Sequence, residues 1–182
     1  MIYLFLAEGF EEIEALAPLD ILRRAGVDIK TVGVGSGTVT GSHKVTFFSD
    51  LTESEAEKND NIDGIILPGG MPGTINLEKS DKVKDIIRYA YENEKLVCAI
   101  CAAPSILGHM GILEGKNAVC FPGFEKELKG ARLCDSFVCE DRNIITAKGM
   151  GSAVEFGLTI ASRFQSKEEN DALRASLQIY HG

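Results

Sequence analysis

The strongest chemical signal in the sequence is a cysteine at the junction between an apolar segment and a helical segment. Residues 95–105 read KLVCAICAAPS, which predicts a buried strand that leads into a helix with Cys101 between them and Pro104 in the first turn. The small neighbours Ala99 and Ala102 would allow the sharp turn of a nucleophile elbow. We predict that Cys101 is a nucleophile whose pKa is lowered by the helix N terminus; a buried structural thiol is the alternative.

A second segment could supply donors for a negatively charged oxygen. Residues 68–73 read PGGMPG directly after an apolar run. Adjacent glycines allow backbone N–H groups to point into a concavity that favours negative charge. We predict that the N–H groups of Gly70 and Ala102 stabilise an oxyanion or another anion. A tight turn that needs positive φ explains the glycines equally well.

One carboxyl group falls on an apolar helix face. Glu14 shares a helical stripe with Pro18, Ile21, Leu22 and Ala25. Burial on that stripe would raise the pKa of Glu14 and keep it protonated part of the time. Glu14 is therefore a candidate buried acid, and the alternatives are a solvated glutamate at the edge of the stripe or one that accepts from N–H groups of the first helical turn.

The other cysteines do not indicate a metal site. Cys98 and Cys101 are three residues apart, but no second such pair and no histidine pair accompany them, so no metal is predicted. Cys98 would be a small core residue of the sheet. An odd total of five cysteines argues against a disulfide framework, and Cys120, Cys134 and Cys139 are interpreted as core or incidental thiols.

The histidines offer no obvious partner for the cysteine. His43, His109 and His181 are the three in the chain, and none lies where a Cys–His pair is evident. None is followed by x-Glu, the pair that a class I glutaminase carries downstream of its cysteine. That class is excluded.

Around these residues, apolar runs alternate with helical patterns, which predicts a mostly parallel sheet covered on both faces in a single domain over residues 1–182. Ligands in such sheets lie beyond the carboxyl ends of the strands, here after Leu6, Leu67, Ile100 and Ala147. The predicted strands are 1–6, 28–34, 38–40, 44–48, 63–67, 96–100, 117–121, 136–138 and 143–147. The predicted helices are 10–25, 52–58, 80–94, 102–110, 152–164 and 168–178, with Ser80 as the N-cap of the third.

Composition narrows the function classes. The chain has 182 residues, with 19 Lys and Arg against 27 Asp and Glu, and a formal net charge of −8. This acidic balance argues against a nucleic-acid partner. The sequence contains no long apolar stretch, signal peptide pattern or phosphate loop, so we expect a cytoplasmic protein with no membrane contact and no cofactor.

Five motifs in order along the chain resemble the ThiJ/PfpI superfamily, and most closely its Parkinson-disease protein deglycase branch. They are EEIE at 11–14, RRAG at 23–26, PGG at 68–70, CAAP at 101–104 and GMGS at 149–152. The resemblance implies a flavodoxin-like three-layer sandwich that works as a homodimer. It also implies that Cys101 is oxidation-prone, that protonated Glu14 hydrogen-bonds its sulfur, and that Gly70 and Ala102 form an anion pocket.

Phe121 departs from the pattern of the superfamily. Several members carry a histidine near the cysteine, and the corresponding position here is Phe121 in VCFP. Amide hydrolysis needs a strong general acid for the leaving amine. The absence of this histidine therefore weakens a peptidase or amidase assignment. His43 of a second subunit is the remaining candidate for that role.

Three hypotheses remain. The first is an enzyme that uses Cys101 and Glu14 on reactive dicarbonyls, as a glutathione-independent glyoxalase or protein deglycase acting on a small aldehyde or a glycated protein. The second is a non-catalytic oxidative-stress sensor or chaperone, in which Cys101 is oxidised to a sulfinate. The third is a peptidase or amidase, which requires an imidazole at Cys101.

Overall fold

A seven-stranded sheet forms the centre of the molecule in the computed structural model, which describes residues 1–179. Its strand order is β10-β11-β7-β6-β1-β2-β5, and every neighbouring pair is parallel except β10 with β11. Two small two-stranded sheets, β3-β4 and β8-β9, lie outside it. The strands are β1 Ile2–Leu6, β2 Ile29–Gly33, β3 Thr38–Thr40, β4 Thr46–Phe48, β5 Leu51–Thr52, β6 Gly64–Leu67, β7 Leu96–Ile100, β8 Asn117–Ala118, β9 Arg132–Leu133, β10 Val138–Asp141 and β11 Ile144–Ala147.

Helices cover both faces of this sheet because its strands are apolar on both faces. Leu4 of β1 belongs to one core cluster with Leu22 and Phe156, whereas Phe5 belongs to a second cluster with Ile86. Successive side chains of a strand point to opposite faces, so each long strand contributes to both clusters. The helices are α1 Glu12–Arg24, α2 Gly73–Lys79, α3 Asp81–Glu92, α4 Pro104–His109, α5 Ala153–Ala161 and α6 Lys167–Ser176.

The predicted three-layer sandwich with a mostly parallel sheet is confirmed. In chain order the five main parallel strands are β1, β2, β6, β7 and β11, and their spatial order is 2-1-3-4-5, the order of flavodoxin-like folds. Strand β7 has the predicted bounds, and Ser80 caps α3 by accepting a hydrogen bond from the N–H of Val83. The predicted hairpin of 38–40 with 44–48 forms as β3 and β4.

Two local predictions are wrong, and one helix, α2, is not among the predicted elements. Residues 52–58 form no helix, because Thr52 ends the short strand β5 and its N–H donates to the Glu55 carboxylate in a turn. Helix α2 follows the glycine-rich turn, where glycines and prolines hide the helical pattern. The edge strand predicted at 136–138 instead spans Val138–Asp141 and pairs antiparallel with β11.

Close packing of the first and fifth helices holds one layer together. A Cβ on Gly157 of α5 would lie 2.9 Å from Cα of Pro18 and 3.0 Å from Cδ1 of Ile21 on α1. Only glycine permits this approach, which brings the start of α1 close to the loop that precedes α5. None of the helices within residues 1–179 has both the length and the apolar character needed to cross a bilayer.

A charged triad joins three segments on the other side of the sheet. His109, at the end of α4, contacts Glu78 of α2 through Nδ1 at 2.5 Å and Glu127 through Nε2 at 2.8 Å. Hydrogen bonds to Glu127 and Glu78 raise the pKa of His109, and burial opposes them only in part. The protonated imidazole therefore links α2 and α4 to the turn around Glu127.

This triad predicts a pH-dependent contribution to stability. Because the folded-state pKa of His109 is raised, its stabilisation is complete below the unfolded value of about 6.5 and is lost as pH rises through the folded value. The free energy of unfolding of wild type should therefore exceed that of His109→Gln by more at pH 6 than at pH 9. Urea denaturation at both pH values measures this difference. A gap between the two proteins that does not change with pH would contradict it.

Candidate active site

Four strand ends bring the candidate residues to one edge of the sheet. Glu14 lies on α1 after β1, Gly70 in the turn after β6, Cys101 after β7, and Met150 in the loop after β11. Strands β1 and β6 are neighbours whose following connections diverge, which makes this the switch point of the sheet. The structure brings together Cys101, Glu14, Gly70 and Ala102 at this edge, where the sequence predicts the site.

The backbone at Cys101 has the strained turn predicted for it. Its φ is 65°, in the left-handed region that non-glycine residues seldom occupy. The turn is fixed from both sides, since the Cys101 N–H donates to the Ala147 carbonyl at 2.9 Å and its carbonyl accepts from the Phe121 N–H at 2.8 Å. The thiol is half-buried, and it accepts hydrogen bonds from the N–H groups of Ala102 and Gly70.

Glu14 is buried beside this thiol, with 1% of its surface exposed. Its Oε2 accepts from the Gly69 N–H at 3.0 Å, and its carboxyl group is also hydrogen-bonded to Cys101 and to the Met150 N–H. Burial is the main cause that raises the pKa of Glu14 to about 7, while the hydrogen bonds to Cys101 and the two amides oppose it and the charge of Glu11 adds to it. The prediction of a buried carboxyl with a raised pKa is confirmed.

The predicted direction for the pKa of Cys101 is wrong. Burial, followed by the charge of Glu14 and the hydrogen bond to it, raises the pKa of Cys101 to about 12, and the Ala102 and Gly70 amides offset only part of this. Helix α4 begins at Pro104 and has six residues, so its N terminus is three residues beyond the sulfur and contributes little. Desolvation and the adjacent carboxylate outweigh the helix.

The two groups therefore act as a pair that holds two protons below about pH 7 and one proton above it. While Glu14 is ionised, its negative charge disfavours ionisation of the thiol, so the remaining proton stays on sulfur. When Glu14 takes that proton, its charge disappears while the amides of Ala102 and Gly70 still donate to the sulfur. The pair can thus produce a thiolate and a carboxylic acid together, and Glu14 has a pKa suited to general acid–base work near pH 7.

Glycine is required where the turn after β6 touches the pair. A Cβ on Gly69 would collide with Cβ of Cys101 and with Oε2 of Glu14, both at 2.6 Å. Gly70 has a φ of 90°, and a side chain there would overlap the backbone of Gly9 at 2.5 Å. The two glycines let the chain pass close enough for the Gly69 amide to bind Glu14 and the Gly70 amide to bind the sulfur.

The two histidines within residues 1–179 are held by glutamates. The imidazole of His43 is 72% exposed and its Nδ1 lies 2.9 Å from Oε2 of Glu12. His109 belongs to the triad with Glu78 and Glu127, and His181 lies outside the described residues. The backbone of Phe121 lies next to Cys101, since its N–H donates to the Cys101 carbonyl.

One cluster of possible metal ligands lies near the start of α1. Single ligand atoms of Glu11, Glu12 and His43 fall within 4.8 Å of one another. The Glu12 carboxylate already accepts from the N–H groups of His43 at 2.7 Å and Val45 at 3.3 Å. These bonds hold the turn between β3 and β4 against α1, which gives the cluster a structural role.

The remaining cysteines lie away from the pair. Cys98 is buried in the sheet, as predicted, and burial raises the pKa of its thiol. Burial also raises the pKa of Cys120 to about 11. The interpretation of Cys134 and Cys139 as separate thiols is wrong, because the turn between β9 and β10 brings their Cα atoms to 6.6 Å and they form a disulfide.

Two donors of the site were not among the predicted site residues. The Gly69 and Met150 amides both bind Glu14, and neither side chain carries chemistry. Their positions after Leu67 and Ala147, at two of the four predicted strand ends, were the available signal. Which amide of a loop turns towards a carboxyl group depends on loop geometry that the sequence pattern does not encode.

Comparison with known proteins places this arrangement in context. The chain matches the DJ-1/PfpI family over residues 1–163. It is similar to the dj-1beta protein of Drosophila melanogaster, with 34% identity over 96% of this chain and 94% of that protein. A DJ-1 homolog B of Arabidopsis thaliana is 36% identical over 90% of this chain, which spans 38% of that longer protein.

Two further similarities bear on function. A protein of Thermococcus kodakarensis named as a deglycase is 30% identical over 80% of this chain and 87% of its own length. The structure of oxidized DJ-1 from Toxoplasma gondii superposes with a TM-score of 0.93 at 31% identity, covering 99% of this chain and 98% of that one.

The shared proton predicts how the pH dependence of thiol alkylation changes in one variant. In wild type, the iodoacetamide reaction of Cys101 should accelerate as pH rises through about 7, where the pair loses its first proton. Glu14→Gln does not titrate and should lose this step, leaving a single thiol titration. Intact mass with peptide mapping assigns the product to Cys101, and Cys101→Ala is the blank. Identical profiles for wild type and Glu14→Gln would show that the two groups do not share a proton.

Proposed function

The chain belongs to the DJ-1/PfpI family, and on this basis we propose that it is a cysteine-dependent enzyme acting on reactive dicarbonyls, free or attached to proteins. The observation that carries the proposal is the Glu14 carboxyl group buried beside the Cys101 thiol. A nucleophile and an acid–base group in direct contact can add a thiol to an aldehyde and then move protons on the adduct.

The first step is addition of the thiol to the aldehyde of a compound such as methylglyoxal. A bond forms between Sγ of Cys101 and the aldehyde carbon, and the thiol proton moves to Glu14. The aldehyde oxygen becomes an oxyanion, for which the N–H groups of Ala102 and Gly70 are available. Glu14 returns the proton to this oxygen and the product is a hemithioacetal.

The second step is an internal redox reaction that needs no cofactor. The Glu14 carboxylate removes the proton from the former aldehyde carbon to give an enediol, and then delivers it to the neighbouring carbon. The former aldehyde is now a thioester at the oxidation level of an acid, and the former ketone is an alcohol. Water cleaves the C–S bond, which releases lactate and restores the thiol, so methylglyoxal and one water together account for the product.

The same thiol can act on protein adducts of the dicarbonyl. In a hemiaminal, the amine leaves with a proton from Glu14 as Sγ of Cys101 bonds to the carbon, and the same hemithioacetal results. The Thermococcus kodakarensis relative named as a deglycase supports this use of the site. We accordingly include glycated proteins among the proposed substrates. We also propose a cytoplasmic homodimer as the working form.

A peptidase or amidase is the weaker assignment. An amide nitrogen must be protonated as it leaves, and the family position that could supply an imidazole holds Phe121. His43 is bound to Glu12 of its own chain. A dicarbonyl avoids this demand because its aldehyde is already electrophilic and its first adduct needs only one proton transfer.

Two substitutions test the proposed enzyme activity. Cys101→Ala should abolish the loss of methylglyoxal and the formation of lactate. Glu14→Gln should lower kcat by at least about 100-fold, the usual contribution of a general acid–base group. Both rates are measured by carbonyl absorbance and by enzymatic lactate assay. Cys98→Ala, a change in the buried sheet, is the matched control for loss of a thiol and should retain activity if folded. Equal rates in wild type, Cys101→Ala and Glu14→Gln would refute the enzyme.

Oxidation sensing is the second candidate function. The half-buried Cys101 sulfur is flanked by two amide donors and by a carboxyl group that can donate a proton, which are partners suited to a sulfinate. The related DJ-1 of Toxoplasma gondii has a solved structure in an oxidized form, which supports this candidate. Two equivalents of hydrogen peroxide would supply the two oxygens and leave as water.

This candidate predicts selective oxidation at one residue. Titration with hydrogen peroxide should add two oxygens to Cys101 before Cys98 or Cys120, which are buried. Glu14→Gln should reduce the yield of sulfinate because the acidic donor is lost. Intact mass and peptide mapping give the site and the stoichiometry. Oxidation spread evenly over the free thiols would count against a sensor.

A further inference from the structure

An apolar groove adjoins the pair formed by Cys101 and Glu14. Its walls are mainly the side chains of Phe121, Pro122, Phe137 and Met150, and its volume is about 350 Å³. Its remaining lining residues are Lys148, Gly149, Gly151 and Ser152. A cavity of this volume is at the lower end of the range for small-molecule sites.

Backbone contacts place the groove next to the reacting pair. A Cβ on Gly149 would lie 3.2 Å from Cδ2 of Phe121 and 3.6 Å from Oε1 of Glu14, so this glycine separates the groove from the carboxyl group by a single backbone layer. The Met150 N–H binds Glu14, and the Phe121 N–H binds the carbonyl of Cys101. Residues of the groove are therefore hydrogen-bonded to both Glu14 and Cys101.

The aromatic walls are unusually exposed for side chains of this kind. Phe137 is 71% exposed and Phe121 is 47% exposed. The ammonium group of Lys148 lies 5.2 Å from the centre of the Phe137 ring and 3.5 Å from Oδ1 of Asp135. The cation–π contact and the disulfide between Cys134 and Cys139, which closes the loop carrying Phe137, hold this ring at the edge of the groove.

We propose that this groove binds the substituent of the substrate and makes the enzyme selective for α-oxoaldehydes with an aromatic group beside the ketone. This inference rests on the proposed dicarbonyl chemistry and adds the substrate class. An aromatic ring in the groove would stack against Phe121 or Phe137 and would be removed from water. The methyl group of methylglyoxal is too small to contact these walls.

The chemistry is unchanged by the aromatic group. With phenylglyoxal, Sγ of Cys101 bonds to the aldehyde carbon, and the carbon-bound proton moves through Glu14 to the carbon that bears the ring. The aldehyde carbon is oxidised to an acid, the ketone is reduced to an alcohol, and one water is consumed. The product is mandelate, and no external oxidant or reductant is needed.

The test compares two substrates across three proteins. In wild type, kcat/KM for phenylglyoxal should exceed that for methylglyoxal by at least about tenfold, because contacts of a few carbon atoms with an apolar pocket contribute such factors. Phe137→Ala should lower kcat/KM for phenylglyoxal by about three- to tenfold, the value of one aromatic contact, and change that for methylglyoxal by less than twofold. Phe48→Ala is the matched control, since Phe48 is 77% exposed and lies on β4 away from the groove.

The outcomes separate this inference from the proposed function. If Cys101→Ala and wild type consume both aldehydes at the same rate, the proposed enzyme fails. If both aldehydes are consumed in a Cys101-dependent way and Phe137→Ala lowers the two kcat/KM values equally or not at all, the enzyme stands and the groove assignment is overturned.

A binding measurement without turnover gives a second readout. Mandelate, titrated into Cys101→Ala by isothermal calorimetry, should bind more tightly than lactate, and Phe137→Ala in the same background should remove the difference. Equal affinities for the two acids would overturn the assignment. Sedimentation of Phe137→Ala should give the mass of wild type, and a loss of mass would assign the groove to contact with a second copy of the chain instead.

Discussion

A single proton shared by a buried carboxyl group and a thiol is the interaction on which the site depends. Glu14 is removed from water, so its pKa rises to about 7, and the same burial together with the Glu14 charge raises the pKa of Cys101 to about 12. Neither group alone offers both a nucleophile and a proton acceptor, because Cys101 alone would be an un-ionised thiol and Glu14 alone would be a buried carboxyl group. Together they exchange a proton within one hydrogen bond, so the thiolate forms where the acid also forms.

The rest of the fold holds this pair at a fixed distance and supplies amide donors to it. The connections after four parallel strands meet there. The one after β1 carries Glu14, and the other three supply N–H groups, from Gly69 and Met150 to Glu14 and from Gly70 and Ala102 to the sulfur. The left-handed backbone at Cys101 is a strained conformation that hydrogen bonds to Ala147 and Phe121 maintain. Glycines 69 and 70 permit contacts that any side chain would block. Backbone N–H groups therefore supply the hydrogen-bond donors of the site, whereas burial sets the direction of both pKa shifts.

The absence of an imidazole at position 121 has two consequences that point the same way. In the proposed reaction, proton transfer falls to Glu14, which favours adducts that need one proton moved at a time over amides that need a strong acid. The phenyl ring that takes the place of the imidazole also becomes a wall of the groove beside Cys101, together with Phe137 and Met150. Phe121 thus bears on both the proposed proton transfer and the proposed substrate. Its ring has no titratable nitrogen and can offer a substrate substituent only apolar contact.

The sequence by itself determined the layer architecture and the edge of the sheet where the site lies, because these follow from local periodicity and from motifs at strand ends. Those patterns also indicated Cys101 as a nucleophile and Glu14 as a buried acid, and the family resemblance paired the two. It did not determine the ends of short elements, such as the helix predicted at 52–58, where a few side-chain hydrogen bonds decide the backbone. Tertiary structure alone decided the direction of the Cys101 pKa, since desolvation and the charge of Glu14 depend on distance and burial that the sequence pattern does not give. It also decided which amides face the carboxyl group, the disulfide between Cys134 and Cys139, and the groove, because each brings together residues from segments whose relative placement is set only by packing of the whole sheet.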